Sequence, residues 1–134
     1  MIKVIANVER EPGEKNFSCH MNVETLNTGV WGTGTSAKAA MDDMMCGWSD
    51  VEDELKEEGR EIPVLDIEYR FDVGALFNYY DFLNITGVAK EIGVNPSVMR
   101  QYAIGIRKPS EERKAKILHG FTKLADKIKN AALC

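Results

Sequence analysis

Apolar and polar residues alternate from the first residues of the chain. Ile2, Val4, Ala6 and Val8 fall on one side of an extended segment and Lys3, Asn7 and Glu9 on the other, the period of a half-buried strand. Glu11 to Asn16 reads EPGEKN, a turn by composition, and alternation resumes at Phe17, Cys19, Met21 and Val23, which predicts a β-hairpin. Asn27-Thr28-Gly29 marks another turn, and Val30 to Thr35 a short third strand containing Gly32 and Gly34. The period then lengthens. Ala37, Ala40, Met41, Met44, Trp48, Val51 and Leu55 recur at steps of three and four, one face of a helix with Ser36 as its N-cap and Gly59 at its end. Gly47 inside it weakens it slightly. Ile62 to Phe71 returns to strand character, with Leu65, Ile67, Tyr69 and Phe71 on a shared face.

From Val73 onward the pattern is helical throughout. It predicts helices over Gly74–Leu83, Thr86–Ile92, Pro96–Ile104 and Ser110 to about Ala132. Ser110 follows Pro109 as an N-cap, and Glu111 and Glu112 suit the positive end of the last helix. The expected fold is therefore α+β in two parts: a β-β-β-α-β module over residues 1–72 and an all-α domain over residues 73–134.

Within the helical part, Ile85 to Ile104 reads ITGVAKEIGVNPSVMRQYAI and has the spacing of a DNA-binding helix-turn-helix. Ala89 is small where two helices cross, Gly93 tolerates the positive φ of the turn, and Val88, Ile92, Val94, Met99 and Tyr102 fall where the helices lock together. Asn95 caps the second helix of the pair and Pro96 takes its first position, where a missing N–H costs nothing. That helix would enter a major groove with Ser97, Arg100 and Gln101 toward the bases, since Arg pairs bidentately with guanine and Gln with adenine. Thr86, Lys90, Asn95, Arg107 and Lys108 are placed for phosphates. One such helix reads only a few base pairs, so a homodimer or larger homo-oligomer on a repeated operator is expected.

Charge sharpens this division. The whole chain of 134 residues carries a net −4, but residues 1–73 hold 7 Lys and Arg against 16 Asp and Glu, a net −9, whereas residues 74–134 hold 10 against 5, a net +5. A basic half suits a polyanion and an acidic half a basic protein. Asp50, Asp53 and Glu57 on the acidic helix are the candidate partner contacts. Cys19, Cys46 and Cys134 lie far apart without CxxC spacing, which points to neither a disulfide framework nor a zinc site. No apolar run approaches the ~20 residues of a membrane span. The N-terminus lacks the pattern of a signal peptide, and a cytoplasmic protein is expected.

The layout resembles the HicB family of antitoxins, the partners of HicA messenger-RNA interferases. The resemblance is carried by FSCHMNVE, by VWGTGTSAKAAMDDM and by ELKEEGREIP, in which Gly32, Gly34, Ser36, Ala37, Ala40, Gly59, Ile62 and Pro63 match the family pattern, and by the Gly-Ile-Arg-Lys-Pro-Ser ending at Gly105 to Ser110. Val23 to Gly29 departs from it, lacking the Asp-Leu-Pro-Gly-Cys segment of many members. The resemblance implies a partial RNase H-like fold for residues 1–72 that covers a basic HicA-type toxin, a helix-turn-helix that represses the operon, and a dimer or higher oligomer. The alternative is a stand-alone transcriptional regulator whose first domain dimerises or senses a ligand.

An RNase H-like fold raises the question of nuclease chemistry, which needs carboxylates converging on divalent metal. Glu9 and Glu11 on the first strand and Asp42 and Asp43 on the helix are the candidates, and a solvated acidic face is the plainer reading. Cys19 and His20 are strand neighbours that point to opposite faces with no third partner evident, His119 in the last helix reads as structural or solvated, and the GTG at Gly32 to Gly34 lacks the spacing and Lys of a phosphate loop. Met41, Met44 and Met45 read as packing residues. The expected activity is stoichiometric binding, with no enzyme, cofactor or metal.

Overall fold

A computed structural model describes residues 1–134. The chain is α+β, with four strands and five α-helices in the order β1 (Ile2–Glu9), β2 (Phe17–Val23), β3 (Thr28–Gly34), α1 (Ala37–Glu57), β4 (Leu65–Phe71), α2 (Val73–Tyr79), α3 (Ile85–Ile92), α4 (Pro96–Ile104) and α5 (Glu111–Lys129). A single 3-10 turn at Glu24–Leu26 joins β2 to β3, and Asn27 takes a left-handed conformation after it. The chain divides into two compact units, Met1–Tyr79 and Tyr80–Cys134. No helix is long and apolar enough to cross a membrane.

In the first unit the alternation of the sequence becomes the two faces of one sheet. Its strand order is β3-β2-β1-β4. β1 pairs antiparallel with β2 (Val8 opposite Cys19) and β2 with β3 (Cys19 opposite Gly32), whereas β4 runs parallel to β1, Ile2 opposite Leu65 through Val8 opposite Phe71. β3 therefore runs in the same direction as β4, and α1 is the crossover that carries the chain over β2 and β1 between them. Val4, Ala6, Val8, Phe17, Cys19, Met21, Val23 and Val30 are buried on one face, and Ala37, Ala40, Met44 and Trp48 of α1 complete the core. Each large side chain buried here contributes roughly 1.5–3 kcal/mol. The ion pair Lys38–Asp42, 2.9 Å, is exposed and screened by solvent, so the apolar face decides the fold.

Two local features seat α1. Ser36 accepts a hydrogen bond from the Ala39 N–H at 3.0 Å, so the predicted cap forms. Gly32 lies directly under the helix, where a Cβ would collide with the Met44 nitrogen and the Ala40 carbonyl oxygen. Only glycine lets the helix backbone come so close. At the outer edge of the sheet the Thr33 N–H donates to the Asp43 carboxylate at 2.8 Å rather than to a strand.

The boundary read from sequence, between residues 72 and 73, falls seven residues before that of the compact units. The helix expected over Gly74–Leu83 ends at Tyr79 and packs on α1, β1 and β4. Asp72 caps it, accepting from Ala75 N–H at 2.8 Å, and also accepts from Arg10 N–H at 3.1 Å. Asn78 accepts from the Ala37 N–H at 2.7 Å, which fixes the end of α2 to the start of α1. Ala75 is fully buried within the core of the sheet. Moving the boundary leaves the charge division unchanged, because residues 74–79 carry no charged side chain.

Candidate nucleic-acid interface

The second unit is built around two short helices and the turn between them. Asn84 starts α3 by accepting from the Gly87 N–H at 2.7 Å. Gly93 ends it at φ +79°, a conformation that disfavours residues with a Cβ, and the Val94 N–H closes the turn on the Ala89 carbonyl at 2.9 Å. Asn95 then opens α4: its Oδ1 accepts from Ser97 N–H at 2.8 Å and Val98 N–H at 3.3 Å, with Pro96 at the first position. Val88, Ala89, Val94, Met99 and Tyr102 are buried between the helices. Gly105, at φ +84°, ends α4.

α5 holds this pair from behind. Ile117 is buried, and at Gly120 the helix passes so close that a Cβ would stand 2.5 Å from Cβ of Ile92. Lys116 donates to the Gly93 carbonyl at 3.0 Å, and Lys127 pairs with Glu91 at 2.6 Å. The Lys116 contact fastens the turn itself. Neither lysine stands out in the sequence, because each is 23 or more residues from its partner.

The residues expected to meet DNA take distinct positions. Ser97 and Arg100 are exposed on α4, three residues apart and so on one face; Gln101 is half-buried beside them. Thr86 and Arg100 are brought together directly, the guanidinium Nη1 donating to the Thr86 hydroxyl at 2.9 Å. Lys90 is exposed in the last turn of α3. The Asn95 carbonyl oxygen is taken up by its cap, which leaves only the side-chain amide N–H groups for a phosphate. Arg107 and Lys108 are exposed in the irregular segment after α4, and no hydrogen bond joins either to the Thr86–Arg100 pair. A basic unit of net +5 with an exposed guanidinium and lysine and a half-buried hydroxyl beside the guanidinium has the chemistry to bind a polyanion.

On the first unit, Asp50, Asp53 and Glu57 form one exposed stripe of α1, opposite the face buried by Met44, Trp48 and Leu55. The carboxylates weighed for metal chemistry are dispersed: Asp42 bonds Lys38 and Asp43 bonds Thr33. No group of three or more His, Cys, Asp and Glu side chains gathers where it could hold a metal ion. Cys19 is buried, with its Sγ 3.4 Å from the Met44 sulfur, and burial pushes its thiol up to about 11. His20 lies on the other face, stacked on Trp31 with ring centroids 4.2 Å apart, so the two neighbours do not act together.

No protein-family model matches the chain, and neither a curated protein nor a solved structure matches it.

Proposed function

We propose that this protein is a HicB-like antitoxin and autorepressor, in which α3, the Gly93 turn and α4 act as a helix-turn-helix on operator DNA while residues 1–79 take up a basic HicA-type toxin. The reading is supported above all by the α3–α4 pair: a glycine turn at positive φ, an Asn-capped and Pro-started second helix, and exposed Ser97 and Arg100 near the start of that helix. Charge points the same way. The basic unit suits DNA, and the acidic stripe of α1 suits a basic toxin. The partial RNase H-like fold of the first unit belongs to the same proposal; the mixed sheet crossed by α1 is compatible with it. Action is stoichiometric, and two copies would present α4 to the two halves of a repeated site.

Binding to the DNA upstream of its own gene, measured over a salt series with scrambled DNA as control, tests the reading. Sequence-dependent binding that weakens steeply with salt is expected. Equal affinity for both duplexes would defeat autorepression at that site, and no binding to either would leave the second unit as a protein-interaction module. The stand-alone regulator is the second reading. It is favoured by the segment Val23–Gly29, which contains a 3-10 turn at Glu24–Leu26 and has neither Pro nor Cys. Co-purification with the product of an adjacent small basic gene separates the two.

A further inference from the structure

The bond between Arg100 and Thr86 gives Thr86 a function other than phosphate binding. Arg100 is exposed on α4, and an unrestrained arginine there would sample many rotamers. In this fold its Nη1 donates to the Thr86 hydroxyl across to α3, at 2.9 Å. A guanidinium has five N–H donors in a planar fork. Engaging one proton of Nη1 leaves the Nε–Nη2 edge intact, and that edge is sufficient for a bidentate pair with the O6 and N7 of guanine. Thr86 itself is set by the α3 N-terminus, where Asn84 caps the first turn. The backbone on which the hydroxyl sits is therefore fixed before any ligand arrives.

We infer that Thr86 is a positioning residue for sequence reading: it holds the Arg100 guanidinium in place, so that the arginine meets a guanine already oriented. This rests on the DNA-reading proposal above. It differs from a phosphate role in what is lost on mutation. A phosphate contact adds affinity for every sequence alike, whereas a tether on a base-reading arginine adds it only where the guanine is present.

The test is selection of bound duplexes from a random library by full-length wild type, Arg100→Ala, Thr86→Val and Thr86→Ser, followed by affinities on the enriched site and on its variants. Arg100→Ala is expected to erase one guanine position. Thr86→Val, nearly isosteric but without the hydroxyl, should weaken preference at that same position by about threefold to tenfold, leave other positions and the salt dependence unchanged, and be rescued by Thr86→Ser. A uniform loss over all sequences with a shallower salt dependence would overturn the inference in favour of a phosphate contact. An unchanged guanine preference would overturn it outright. Should wild type enrich no motif, the DNA-reading proposal itself falls. The tether is then judged separately by NMR relaxation of the Arg100 side-chain Nε in the free protein. Order in wild type that drops in Thr86→Val upholds the tether, and equal mobility in the two removes it.

Discussion

Among single residues, Cys19 and Arg100 are opposite cases. Cys19 is sealed beside Met44, and burial raises its thiol from the ordinary 9.0 to about 11. Burial also raises Tyr69 on β4. Both groups favour the neutral form when folded. The stability this gives is fully present below the unfolded-state values and is lost as pH rises through the folded ones. Chemical denaturation repeated at rising pH should show stability falling from about pH 9 toward pH 11; a flat profile would contradict the burial of Cys19. A thiol reagent at pH 8 should label two cysteines quickly, the exposed Cys46 and Cys134, and Cys19 only on unfolding. Arg100 is exposed, and its replacement should leave the melting temperature within about a degree or two of wild type. On the proposed DNA-reading function it should at the same time reduce affinity for the preferred duplex at least fivefold, the lower end for a base-reading pair. Loss of folding in that variant would show that its bond to Thr86 is structural.

The elements formed where periodicity had somewhere to bury a face. β1, β2 and α1 were legible because their apolar residues recur every second residue, or every third and fourth, against one core. The caps at Ser36, Asn95 and Ser110 were legible because each bonds within three residues of itself. What the sequence could not disclose depends on distant partners. The allegiance of α2 rests on Asp72 holding Arg10, 62 residues away, and Asn78 holding Ala37, 41 residues away. No local pattern encodes such pairs. The parallel seat of β4 beside β1 is another case, since alternation gives a strand its faces but not its neighbour. Two substitutions measure these elements. Gly32→Ala should destabilise the first unit by roughly 2 kcal/mol or more, because the obstacle is helix backbone that cannot rotate away. Asn95→Ala should cost about 1 kcal/mol, the usual value of a lost N-cap. Thermal or denaturant melts of each variant give the comparison, and a Gly32→Ala protein as stable as wild type would mean that α1 can lift from β3.

On the scale of the whole molecule, the chain joins a sheet unit of net −9 to a helical unit of net +5. The spacing read from the sequence placed Val88, Ile92, Val94, Met99 and Tyr102 where the helices lock together, with Ala89 at their crossing; all are buried except Ile92, which is half-buried. The candidate surface was legible only as a set of residue types. The direct bond from Arg100 to Thr86 and the Lys116 clasp on Gly93 are side-chain geometry that emerges once three helices meet. Residues 80–84, at the start of the second unit, have no regular helix or strand, and Phe82 there is 79% exposed. Brief chymotrypsin digestion should therefore cut first after Phe82 and release two fragments that resist further digestion. First cuts inside α3 or α4 would show instead that the second unit is the less stable body.

The hydrogen bond from Thr33 to Asp43 bears on how the protein behaves in a crowd of its own copies. β3 is a border of the sheet, and a border with free N–H groups invites another chain to add a strand. A carboxylate swung out from α1 occupies one of those groups and sets a negative charge beside it. Asp43→Ala would unmask that N–H and remove the charge. Light scattering on concentrated samples should then show the variant assembling into larger species than wild type at equal concentration, although its core is untouched. Identical masses would mean that α1 shields the border by bulk alone.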